Sequence, residues 1–135
     1  MTPKTIFITG ASSGIGLATA LLFHKEGWNV IASMRSPDSA PGELTALDAS
    51  RFLLIKCDVL NLASIRAAVD ASIQRFGQVD WVVNNAAFAA GGVFEAIPRQ
   101  IAVEQMDTNV TCKGYRPNGR HTSISPPPSP YCLQC

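Results

Sequence analysis

The segment TIFITGASSGIG, residues 5–16, leads from β-branched and aromatic residues into three glycines and then into a helical pattern. Gly10, Gly14 and Gly16 let the backbone turn sharply and come close to a bound group. A helix beginning there aims unpaired N–H groups and its positive dipole end at whatever the turn holds. Ser12, Ser13 and Ile15 fill the space between the glycines. Strand, turn and helix together suit a pyrophosphate. The glycine spacing alone would be weak, and its flanks supply the required context. Three further places hold polar residues at the ends of patterned segments: Asp58-Val59, Asn84-Asn85-Ala86-Ala87 and Asp107-Thr108-Asn109-Val110. Each also has a plain structural explanation: a generic tight turn for the glycines, a helix cap for Asp58, turn formation for the asparagines.

Alternating strands and helices must position these groups. Nearly continuous apolar runs at residues 5–9, 29–33, 52–56 and 81–84 predict strands buried on both faces. Residues 15–25 predict a helix with Ile15, Ala18, Leu22 and Phe23 on its apolar face, stopping at Gly27. A short helix is expected over 41–49. A longer one is expected over 62–76, with Leu62, Ile65, Ala68, Val69, Ile73 and Phe76 at helical spacing, closing at Gly77. Residues 98–109 predict a last helix, with Pro98 near its first turn. This spacing gives right-handed crossovers, hence an α/β fold with a doubly wound parallel sheet.

A chain of 135 residues suits one domain with a real core. A charged fraction of 16% and net charge of +1 argue against nucleic-acid and membrane-surface partners. No leader pattern precedes the first strand and no apolar run matches a membrane span, so a cytoplasmic chain is expected. Residues 111–135 differ from the rest: five of the nine prolines, three basic residues and no acid. This stretch is expected to be an unstructured, proline-rich tail following a domain at 1–110. Pro127 to Pro130 also fits a P-x-x-P ligand for an SH3-type partner. Cys132 to Cys135 matches C-x-x-C, but with only His121 near it lacks a zinc ligand set, and a disordered end is the expectation there too.

Taken jointly, the glycine turn, Asp58-Val59, Asn84-Asn85-Ala86 and Asn109 resemble the short-chain dehydrogenase/reductase family over residues 4–111. The resemblance implies a partial Rossmann fold with four strands in the order 3-2-1-4. It also implies hydride transfer between a nicotinamide dinucleotide and a carbonyl or alcohol. Gly10, Ser12, Ser13, Gly14, Ile15 and Gly16 match the family's pyrophosphate loop. Asp58 and Val59 match the pair that contacts adenine. Asn84 to Ala86 match the segment lining the ribose, and Asn109 matches an asparagine holding a water in a proton relay. The end of the second strand decides the cofactor. NAD calls for a carboxylate there, whereas the 2′-phosphate of NADP calls for a cation. Arg35 stands at that place and no acid does, since Asp38 lies behind Pro37; NADP is expected over NAD.

The resemblance fails where chemistry should follow. Its catalytic serine and Tyr-x-x-x-Lys string have no counterpart: Tyr115 is followed four residues on by Gly119, Tyr131 by Cys135, and the last lysine is Lys113. Ala87 and Cys112 also replace glycines of the family pattern. The expectation is an oxidoreductase by lineage, cut before its catalytic residues, with sequence from about Cys112 read from another frame or an intron. An inactive NADP-binding or tail-presenting fragment is the alternative. Substrate and oligomeric state are not encoded in any motif present.

Overall fold

The computed structural model describes residues 2–111. The strands β1 (Thr5–Thr9), β2 (Asn29–Met34), β3 (Phe52–Lys56) and β4 (Trp81–Val83) form one parallel sheet in the order β3-β2-β1-β4, as expected. Side-chain alternation along β1 divides the core into two layers. Ile6 and Ile8 join Val30 and Ala32 under α1 (Gly14–Lys25) and α2 (Gly42–Thr45). Phe7 joins Ile31 on the opposite face under Ala68 of α3 (Leu62–Phe76). The sheet is therefore doubly wound.

Burial on both faces holds only for the middle strands. Every residue of β1 and β2 is buried, whereas Phe52 alone is buried in β3 and Val83 alone in β4. An outer strand has a neighbour on one side only, so its continuous apolar run is half-covered among the described residues.

The expected face of α1 is corrected. Ile15, Ala18 and Leu22 are exposed, and the buried line is Gly16, Ala20 and His24, one residue per turn. Small residues at the first two places let α1 lie close to the strands, and His24 meets Phe52 edge-on at 6.3 Å between ring centroids. Nearly every residue of this helix is apolar, so periodicity could not choose a face. The expected helix over 41–49 shrinks to the four residues of α2. It ends at the C-cap Ala46, and in the turn beyond it Asp48 accepts from the Ser50 amide at 2.9 Å and the Ser50 hydroxyl at 2.6 Å. Those bonds, the hydroxyl first, hold the Asp48 carboxyl below its ordinary range. Leu44, fully buried, anchors the short helix and contributes about 1.5–3 kcal/mol. The 62–76 helix forms over the expected residues, capped by the Asn61 side chain on Ser64 N–H at 3.0 Å, but Leu62 in its first turn is exposed and the fully buried positions are Ala68 and Ser72.

The final helix is split. α4 (Arg99–Met106) begins just after Pro98, and Asp107–Thr111 continue as a wider π-helical turn. No residue of α4 is buried, and Val103, Met106 and Val110 lie exposed. Residues 112–135, including both tyrosines, the P-x-x-P and the C-x-x-C, lie outside the described residues. Among the described residues no helix is long and apolar enough to cross a membrane, and no cluster of His, Cys, Asp and Glu could hold a metal.

Candidate functional site

Parallel strands place all their carboxyl ends on one edge of the sheet, and there an open cleft of about 520 Å³ lies at the point where the strand order reverses. The turn after β1 supplies Gly10, Ser12, Ser13 and Ile15 to its wall, and the end of β2 supplies Arg35. Asp58 and Val59 follow β3, and Ala86 follows β4. Eight of the predicted site residues thus converge. Gly14, Gly16, Asn84 and Asn109 are not among the residues that line the cleft.

The turn is built by close approach. Gly10 has φ +67°, and a Cβ on it would come within 2.7 Å of the Ala86 Cα. A Cβ on Gly16 would strike the Gly10 carbonyl oxygen and come within 2.5 Å of Asn85 Nδ2. Ser13 stands at the N-cap of α1 without a side-chain hydrogen bond, and no acid lies in the first turn. The helix start therefore brings N–H groups to the cleft with no side-chain cap and no competing negative charge. That donor set fits a diphosphate.

Asn85, the middle residue of the Asn84–Ala86 segment, and Thr9, outside the predicted set, hold this turn against β4. The Thr9 hydroxyl accepts from the amides of Asn85 and Ala86, each at 3.0 Å. The Asn85 carboxamide donates to the carbonyls of Thr9 at 3.1 Å and Gly10 at 3.0 Å. The Asn84-Asn85 doublet and a threonine immediately before the first glycine were the available signals. Thr9→Val keeps the shape and removes the acceptor. The Asn85 amide still has the Val83 carbonyl at 3.1 Å, whereas the Ala86 amide is left unpaired. A loss of about 1–3 kcal/mol in urea denaturation is expected; an unchanged midpoint would show that the staple is dispensable.

Asn109 is engaged with protein backbone. Its side chain accepts from Phe88 N–H at 3.1 Å and donates to the Phe88 carbonyl at 2.8 Å. Gln105, also absent from the predicted set, accepts from Ala90 N–H at 2.8 Å. Together they fix the loop after β4 whose residues Ala86, Ala87 and Phe88 line the cleft. Cys57, buried beside Asp58, is a core residue as expected. Desolvation pushes its thiol up, against a smaller opposing effect of the Ser33 hydroxyl, which disfavours the reactive thiolate.

Comparison with known proteins agrees with this geometry. The family model described as short chain dehydrogenase matches residues 4–113. A 3-ketodihydrosphingosine reductase of Bacteroides thetaiotaomicron is 37% identical over 109 residues, covering 81% of this chain and 38% of that protein. Glucose 1-dehydrogenase 2 of Bacillus subtilis is 35% identical over 118 residues, covering 82% of this chain and 45% of that protein. The crystal structure of a 3-ketoacyl-(acyl-carrier-protein) reductase from Brucella melitensis complexed with NADH superposes with a TM-score of 0.74 at 28% identity, covering 82% of this chain and 46% of that one. The chain spans less than half the length of each of these relatives. With the glycine turn and the strand order in place and the family model matched over residues 4–113, the chain belongs to the short-chain dehydrogenase family.

Proposed function

We propose that the cleft binds NADP, and that the chain derives from an oxidoreductase moving hydride between NADP and a carbonyl or alcohol. In this reading the pyrophosphate rests on the turn of Gly10, Ser12, Ser13, Gly14, Ile15 and Gly16. Asp58 and Val59 take the adenine, Asn84 and Ala86 border the ribose, and Asn109 serves the proton relay of the complete enzyme. When bound, the dinucleotide supplies or accepts the hydride. The residues present here bind and orient it. Arg35 is the observation that supports NADP over NAD: it lines the cleft at the end of β2, exposed, with no carboxylate at that strand end. Asp38 belongs to the next short turn, Pro37–Ser39, and is absent from the cleft wall.

Because the 135 residues contain no Tyr-x-x-x-Lys string, the chain as it stands is read as a binder that does not turn its cofactor over. Thermal melts of the purified chain with NADPH and with NADH test the binding. NADPH at a hundredfold above its Kd is expected to stabilise by about 2.7 kcal/mol. NADH at the same concentration should give a much smaller shift. Equal shifts, or none with either nucleotide, would overturn the reading.

A further inference from the structure

Asp58 is the last link of a small hydrogen-bonded assembly. Its backbone N–H donates to the Ser64 hydroxyl at 3.0 Å. One carboxylate oxygen, Oδ1, accepts from Leu60 N–H at 3.0 Å, and the Asp58 carbonyl accepts from Asn61 N–H at 3.0 Å. Ser64 N–H in turn donates to the Asn61 side chain at 3.0 Å, which is the cap of α3. The turn from Asp58 to Asn61 is thus tied at both ends to the first turn of a helix seated on the sheet through Ala68. Oδ2 makes no hydrogen bond among the described residues, and Asp58 lines the cleft.

We infer that Ser64, outside the cleft wall, is the positioning residue that sets the cleft's preference for a 6-amino purine. This rests on the reading of Asp58 as the acceptor for the adenine amine. A carboxylate on a free strand end can rotate and meet either a donor or a bridging water. Here the Leu60 amide occupies one oxygen and fixes the carboxylate plane, leaving one oriented acceptor. That local turn depends on the Asp58 amide being satisfied from within the protein. The Ser64 hydroxyl does this from a helix, so the acceptor's position is inherited from α3 and not from the loop. Hypoxanthine presents a carbonyl oxygen where adenine presents its amine, so an oriented carboxylate opposes it with acceptor against acceptor.

Calorimetric titration of the whole chain with NADPH and with its hypoxanthine counterpart measures the preference directly. Wild type is expected to favour adenine by about tenfold to a hundredfold, the worth of a hydrogen bond to a charged acceptor. Asp58→Ala should bring the ratio close to one. Ser64→Ala should lower it by roughly fivefold through lost orientation, and Ser64→Thr, which keeps the hydroxyl, should restore it. Should Ser64→Ala not fold, Ser64→Cys, of similar size with a weak acceptor, takes its place and must show the same reduced ratio. A wild-type ratio in Ser64→Ala, or an equal fall in Ser64→Thr, overturns the role of Ser64 and leaves the cofactor site standing. No adenine preference in wild type, or an undiminished ratio in Asp58→Ala, overturns the Asp58 assignment beneath it.

Discussion

Gly16→Ala is expected to cost this chain roughly 3–5 kcal/mol, and Gly16→Val to prevent folding. The added methyl has nowhere to go. It would strike the Gly10 carbonyl oxygen and approach Asn85 Nδ2 to 2.5 Å. Neither neighbour can retreat alone, because Asn85 Nδ2 bonds Gly10 O at 3.0 Å and Thr9 O at 3.1 Å. Overpacking at such a point costs about 1–3 kcal/mol, and each staple bond broken to relieve it about 1 kcal/mol more. A domain of this size has about 5–15 kcal/mol in total. Gly14→Ala is the contrast: nothing lies within 4 Å of its Cβ, and only φ +55° opposes the change. That conformational cost is about 1–2 kcal/mol. Urea denaturation of the two alanine variants should therefore separate clearly, with Gly16→Ala far lower. Equal midpoints would mean that the turn gives way elsewhere and that the staple does not fix it.

Those glycines look alike in the sequence, and the difference between them shows what patterning can and cannot reveal. The strand runs were legible because apolar residues buried from both sides leave continuous stretches, and β1 and β3 fall where the runs predict. The face of α3, though Leu62 lies exposed and the buried Ser72 was not expected there, was legible around Ala68 because polar residues interrupt the pattern. Along α1 they do not, and its rotation is fixed by the Gly16 contact, a fact of packing with no periodic signature. Within the Asn84-Asn85 doublet, the register that sets Val83 opposite Ile8 determines that Asn85 meets the glycine turn. No feature of the doublet itself says which member will. Asn109 was identified by its place in a motif, yet its bonds to Phe88 depend on the π-helical turn, which the helical period of residues 98–109 did not foretell. Of the residues that hold that backbone in place, Gly16, Asn85 and Asn109 lie within the motifs, whereas Thr9 and Gln105 act through single hydrogen-bonding side chains that no spacing marks out.

Arg35→Glu is expected to weaken NADPH binding by at least about tenfold to a hundredfold. Arg35 can meet a phosphate with two parallel N–H donors, and it offers the cleft a cation from a strand end that itself carries no acid. The variant loses those donors and sets a carboxylate against the phosphate. It should gain for NADH, because the same carboxylate can accept from a ribose 2′-OH. Arg35→Ser separates the two effects: it should lose the phosphate preference without gaining for NADH. Because Arg35 is exposed, the wild-type preference should also shrink as ionic strength rises toward 1 M, where the screening length falls to about 3 Å. Calorimetric titration of wild type and both variants with the two nucleotides, at low and high salt, measures all of this. Parallel changes in NADPH and NADH affinity would mean that Arg35 acts through the shape of the β2 end and not through the 2′-phosphate. A preference that survives Arg35→Ser would have to come from another donor at the cleft, and Ser12 and Ser13, which line it, would be the next residues to replace.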